Sequence, residues 1–352
     1  MSRASAAVAA FHAQAAICAA MGSPFTARLC TLLGERLAPG AAVADRILGW
    51  PGDPGGRADA VPLRLAGALH GLVIEGRDPR LAAVYPPHEP DDDALWQAVS
   101  TALAVEAPYI LRRLDGPPQT NEPQRSAALC PGFLTVAALT GLPLATSELG
   151  ASAGLNLSWD RFAYRFGDAR WGDPAAPVLI APEWHGPPPP LPAARVVERA
   201  GVDLDPPDPS RPEDRLRLLS FVWADQAARM ARMAAAIDTA RAGGILVERG
   251  DAVDWLARRL ATPRPGSAHV VYHSIFWQYL PPEAQARARG LLDAAGAAAT
   301  ATAPLAWLRM EGDGAEPGAA ITLTLWPDGT TRQLGRVDYH GAWVHWTGWP
   351  PA

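Results

Sequence analysis

Beyond Gly141-Leu142-Pro143 the chain changes character: short apolar runs alternate with helical segments, the pattern required by a mostly parallel sheet with helical crossovers. The runs are Leu144–Leu149, Val196–Leu204, Gly244–Val247, His269–His273, Pro304–Met310, Ile321–Trp326 and Val337–Trp346. Helices are expected between them at Gly154–Arg161, Pro212–Ala242, Ala252–Leu260 and Pro282–Ala295. Pro327-Asp328-Gly329 joins the last two runs with a hairpin turn signal. The order predicts an α/β fold with a seven-stranded, mostly parallel sheet that ends in an antiparallel hairpin.

The first third reads differently. From Ala6 to about Leu114 the pattern is helical, broken by Gly and Pro clusters and free of strand-like alternation. This predicts a helical N-terminal cap over residues 1–118 and an α/β domain over 119–352. After the linker Gly116-Pro117-Pro118, the run Gln119 to Pro123 should open another helix, capped by Thr120 or Asn121 with Pro123 in its first turn. Residues 162–190 look like an inserted hairpin and proline-rich loop. In the segment from Pro212, Leu219, Trp223, Gln226, Met230, Met233 and Ile237 recur at spacings of four and three, a stripe expected to pack on the sheet.

Composition narrows the chemistry. All 31 basic residues are arginine, so mechanisms that need a lysine are excluded: Schiff bases, pyridoxal phosphate anchoring and the phosphate-loop lysine. A net charge of -5 without a basic block argues against nucleic-acid binding, which needs clustered positive charge. Three cysteines with no C-x-x-C pair fit a reducing cytoplasm. The alanine-rich start is interrupted by His12 and Gln14 and reads as a soluble helix, with a secretion signal as the alternative and no membrane span expected. His340 and His345 alternate across a strand, so no metal site is expected there.

The most informative motif is a strand followed by Glu148-x-Gly150-x-Ser152-x-Gly154 and a helix. Small residues in such a turn let a ligand approach bare backbone. Leu155 stands where the dinucleotide fingerprint G-x-G-x-x-G needs its third glycine, which weakens a pyrophosphate reading. The motif resembles the first motif of class I methyltransferases, which implies S-adenosylmethionine as cofactor. On that resemblance Asp203, at the end of the second strand, would accept the ribose hydroxyls. Asp251, at the end of the third, would receive the adenine amino group. Each aspartate also reads as a simple helix cap. The fourth run lies where such enzymes present the methyl group, making His273 a candidate base or, equally, a core histidine. Ser274, Trp277 and Tyr279 follow it, and the two aromatic residues would either line an acceptor pocket or serve packing. The sequence lacks the Asp-Pro-Pro-Tyr type motif used on nucleic-acid amino groups.

Nearly the whole chain resembles a bacterial domain-of-unknown-function family, number 2332. The resemblance is carried by Gln119-Thr120-Asn121-Glu122, by Glu148 through Leu157, and by Tyr272-His273-Ser274 through Tyr279-Leu280-Pro281. It implies a methyltransferase-like fold and no particular substrate. A helix that feeds an adjacent strand through a short turn usually runs antiparallel to it, so Asn121, Glu122 and Arg125 should face the ligand loop. Arg125 could pair there with the methionine carboxylate or an acidic substrate. The cap and the insertion are expected to close over the acceptor, favouring a small molecule. Two other readings stay open. Gly150-Ala151-Ser152-Ala153-Gly154 also fits the α/β-hydrolase elbow, with Ser152 as nucleophile and Asp251 and His340 as triad partners. A non-catalytic nucleoside-binding protein of the same fold is the third.

Overall fold

A computed structural model describes residues 2–56 and 58–350. Tertiary contacts divide the chain into two units, Met1–Thr120 with Arg211–Ala231, and Asn121–Ser210 with Arg232–Ala352. The protein is mixed α/β, with helices at the N-terminus and one large, mostly parallel sheet.

The first unit is helical: Arg3–Ala20, Pro24–Arg36, Ala42–Leu48, Val61–Ile74, Pro79–Ala82, Asp92–Val105 and Ala107–Asp115. Its core gathers Phe11, Leu33, Ile47, Leu65, Leu69, Tyr85, Leu95 and Ile110. The expected long helix from Pro212 is two helices, Pro212–Ser220 and Ala227–Ala242, separated at Phe221–Gln226. The first of them packs on Val61–Ile74 and belongs to the helical unit. The phenyl ring of Phe221 lies against Gly67, where an added Cβ would come within 2.6 Å of it. The apolar stripe is therefore not one sheet-facing surface. Periodicity survived across residues 212–242 because each half has its own core to face.

The second unit is built on nine strands: β1 (Leu144–Leu149), β5 (Glu183–His185), β6 (Val196–Asp203), β7 (Glu248–Arg249), β8 (Ala268–Ser274), β9 (Leu305–Glu311), β10 (Ala319–Trp326), β11 (Thr330–Val337) and β12 (Trp343–Trp346). Their spatial order is β5-β12-β11-β10-β9-β8-β1-β6-β7. Strands β7, β6, β1, β8 and β9 run parallel, while β9 through β12 form an antiparallel meander. Nine strands replace the expected seven. β11 lies almost wholly outside the expected runs, Val337–Trp346 consists of the end of β11, a turn that contains His340 and β12, and β5 from the insertion adds to the edge, parallel to β12. The expected strand Gly244–Val247 is a loop, and pairing starts only at Glu248, where a short edge strand makes two residue pairs with β6.

One face of the sheet carries the helix Ser126–Thr140, whose residues Ser126–Ala137 are all buried. The sheet covers one side of it. An aromatic stack covers another: Phe133 meets Tyr272 edge-on at 4.9 Å and Trp159 face-on at 4.5 Å, and Trp159 stacks on Trp171 at 5.5 Å. Trp171 lies in a three-stranded sheet made of β2 (Ala163–Phe166), β3 (Ala169–Trp171) and β4 (Leu179–Ile180). The insertion thus packs through Trp171 onto this stack. The opposite sheet face packs under the helices Ala252–Leu260 and Pro282–Ala297, around Trp255, Leu256, Leu292 and Trp307.

Candidate functional site

Among the parallel strands the chain visits β1, then β6 and β7 on one side, and then β8 and β9 on the other. The direction reverses between β1 and β8, and open α/β sheets bind ligands at the carboxyl ends of strands flanking such a reversal. Glu148 and Tyr272 are register partners across that boundary. The Tyr272 hydroxyl donates to Glu148 Oε2 at 3.1 Å. Glu148 is only 2% exposed, and burial pushes its carboxyl up to about 8, so at neutral pH it is mainly an uncharged acid.

The turn after β1 is tightly built. Gly150, Ser152 and Gly154 all have positive φ, at 66°, 51° and 72°. The Asp203 carboxylate staples this turn to β6, accepting from Ser152 N at 2.9 Å through Oδ2 and from Asp205 N at 3.0 Å through Oδ1. The glycines do not leave bare backbone for a ligand, contrary to the expectation from the motif. An added Cβ on Gly150 would overlap the Phe276 ring, and one on Gly154 would meet Ile245 and Val247. The cause is the end of β8, where Ile275 at φ 49° reverses the chain before Phe276. The segment after the loop is a 3-10 helix, Leu155–Arg161, where an α-helix was expected.

Asn121, Glu122 and Arg125 meet the residues around this turn. Asn121 Oδ1 accepts from Leu155 N at 2.8 Å, and the Glu122 carbonyl accepts from Asn156 Nδ2 at 3.3 Å. Neither Thr120 nor Asn121 caps the following segment. Glu122 does, accepting from Gln124 N at 3.0 Å at the head of the 3-10 helix Pro123–Arg125. Its buried carboxylate also lies 3.9 Å from Arg232. Arg125 donates to the carbonyls of Tyr339 at 3.1 Å and Ser274 at 3.3 Å, tying the last strands to the end of β8.

Asp251 is the N-cap of Ala252–Leu260, with Oδ1 accepting from Val253 N and Asp254 N, both at 2.9 Å, while Oδ2 stays outside the cap. Leu204, the residue after Asp203, is 73% exposed. An apolar side chain of that size beside a strand-end carboxylate offers a surface for a ring.

His273 is fully buried and on the other face of β8. Trp307 Nε1 donates to its Nε2 at 3.1 Å, which leaves the proton on Nδ1, donated to Glu311 Oε1 at 2.6 Å. Glu311 also accepts from Phe276 N at 2.9 Å and Trp277 N at 3.1 Å. Both ring nitrogens are engaged, so His273 is a core histidine in this structure and not an open base. Trp277 stacks on it at 5.0 Å, whereas Tyr279 is 69% exposed.

The residue-level reading missed Tyr272, Glu311 and Arg309. Arg309 had a signal: a charged residue in the middle of the apolar run Leu305–Met310. Among the described residues no group of three or more His, Cys, Asp or Glu is arranged to hold a metal, and no helix is long and apolar enough to cross a membrane.

The family described as "Uncharacterized protein conserved in bacteria (DUF2332)" matches residues 8–346. The chain belongs to this family. No curated protein and no solved structure matches it. The DUF2332 match spans both units, so the turn after β1, the helix Ser126–Thr140 and the helical N-terminus are parts of one family-wide chain.

Proposed function

We propose that this protein binds S-adenosylmethionine along the carboxyl ends of β1, β6 and β7 and transfers its methyl group to a small-molecule acceptor. The observation that carries this reading is the pair of strand-end carboxylates Asp203 and Asp251. Both are engaged by backbone N–H groups, yet each retains acceptor positions. A carboxylate has about four lone-pair sites, so Asp203 can still accept two ribose hydroxyls. Asp251 Oδ2 is free to accept an amino group, and exposed Leu204 can cover the purine plane between them. The strand order with its reversal beside β1 supports a ligand at this end of the sheet.

A sulfonium cofactor held by Asp203 and Asp251 would supply an activated methyl group, passing it to the acceptor as the methyl–sulfur bond breaks and the thioether leaves. The protein's task is then positioning and exclusion of water. Asp203 would hold the ribose and keep the β1 turn closed at the same time. Glu148, uncharged at neutral pH, would contribute shape and its bond to Tyr272 without placing a negative charge behind the turn. Phe276 covers Gly150 and would limit how deeply the methionine end enters.

Calorimetric titration with S-adenosylmethionine and its demethylated product tests the reading. Saturable binding is expected, weakened at least tenfold when Asp203→Ala and Asp251→Ala are combined. No binding, or undiminished binding by the double variant, would remove it. One observation favours a second reading, a serine hydrolase: Ser152 sits at positive φ inside Gly-x-Ser-x-Gly, as a nucleophile elbow requires. Labelling of Ser152 by a fluorophosphonate, abolished in Ser152→Ala, would establish that alternative.

A further inference from the structure

On the sheet face opposite Tyr272, at the carboxyl ends of β8 and β9, lies a cavity of about 250 Å³. Its lining includes His273, Trp277, Arg289, Trp307, Arg309 and Thr322. The floor is aromatic: Trp277 and Trp307 meet at 5.3 Å, and His273 stacks on Trp277 at 5.0 Å and lies 6.0 Å from Trp307. Two arginines lie over these rings. The guanidinium of Arg309 sits 4.0 Å above Trp307, and that of Arg289 sits 5.3 Å above Trp277.

The charges around this cavity are unequal. Glu311 Oε1 accepts from three uncharged donors, His273 Nδ1 and the N–H groups of Phe276 and Trp277, so the carboxylate is held in place with its charge retained. Asp313 is committed to Arg336, which grips it with two bonds of 3.0 Å. Arg289 and Arg309 have no carboxylate within ion-pair distance among the described residues. Arg309 makes one hydrogen bond, from Nη2 to Thr324 Oγ1 at 3.3 Å. Two like charges held on one aromatic floor, with Glu311 on the wall but in ion-pair contact with neither, cost free energy that a bound anion would recover. In keeping with this, burial first and Arg289 second push the Arg309 guanidinium down to about 10.

We infer that this cavity is a binding site for a small oxyanion-bearing molecule, a carboxylate or phosphate gripped between Arg289 and Arg309 over the Trp277 and Trp307 rings. Guanidinium pairs suit both anions, because the planar fork matches two oxygens at once. The volume lies below the roughly 300–1,000 Å³ of pockets that take drug-sized molecules, so the ligand is a compact acid. The aromatic floor shields the half-buried Arg309 from water and strengthens its attraction beyond that of a surface arginine, while Arg289 closes the site from its exposed side. Backbone strain and the S-adenosylmethionine reading play no part in this inference, and the site stands or falls without them.

The test is calorimetric titration of the full-length protein, without other ligands, with inorganic phosphate and separately with malonate. Saturable binding of at least one is expected, with affinity in the millimolar range or tighter. Phosphate alone would identify a phosphorylated ligand, malonate alone a carboxylic acid, and both the shared oxyanion chemistry. Arg289→Gln, an exposed change that leaves the core intact, should weaken binding at least tenfold, and Arg309→Gln more. Arg332→Gln, outside the cavity, should leave it unchanged. Failure of both anions to bind, or equal affinity in wild type and Arg289→Gln, would overturn the inference. Should Arg309→Gln lose its folded circular-dichroism signal, the Arg289→Gln comparison decides.

Discussion

Glu148 is the residue whose chemistry departs furthest from what its place in the motif suggests. An acid ahead of a glycine-rich turn invites the picture of a charged ligand contact, yet burial raises its carboxyl from 4.5 to about 8. Because the folded state holds this proton more tightly than the unfolded chain, the stabilisation it brings is full below pH 4.5. It is lost progressively as the pH rises toward 8. Urea unfolding at pH 5 and pH 8.5 checks this. Glu148→Gln, which keeps the shape and loses the titration, should gain stability relative to wild type at the higher pH by on the order of a few kcal/mol. A constant difference across that range would show that Glu148 is ionised in the fold. The sequence revealed Glu148, Asp203 and Asp251 as strand-end acids because strand ends are marked by apolar runs. It did not reveal Phe276 over Gly150, since that contact depends on the positive φ of Ile275, which nothing local encodes.

At the scale of elements, the parallel strands were legible wherever an apolar run was long enough to be buried on both faces, as with β1 and β8, in which every residue is buried. Edges were not legible. The β7 strand has two residues, both exposed, and β5 has three, so neither carries a hydrophobic signature. The helical stripe from Pro212 misled for a different reason: the spacing continues through the break at Phe221–Gln226, where no proline or glycine stands. Gly67 marks the consequence. Its missing side chain lets the Phe221 ring lie against the helix Val61–Ile74. Gly67→Ala should force that ring away and cost about 1–3 kcal/mol, the range for an overfilled core. Hydrogen exchange should show Pro212–Ser220 losing protection before the rest of the helical unit. Unchanged protection there would mean that the contact contributes nothing to holding the segment.

For the whole molecule, the division read from sequence at residue 118 is incomplete, because the helical unit also claims Arg211–Ala231. That segment carries Leu218 and Val222, both buried, in a stretch of chain otherwise surrounded by the α/β unit's sequence. A fragment covering 119–352 should therefore expose these side chains and aggregate. Replacing residues 211–231 in that fragment with a flexible polar linker of similar length should restore a monodisperse species by size-exclusion chromatography. If the unaltered fragment is already monodisperse, Arg211–Ala231 does not depend on the N-terminal helices.

The same interleaving sets an order of events on the ribosome. The N-terminal helices emerge first, but residues 211–231, which complete their unit, are made only after β1 and β6 of the α/β unit. At translation rates of about 5–20 residues per second the early helices wait on the order of ten seconds in an unfinished state. Slowing elongation between Asn121 and Arg211 would lengthen that wait.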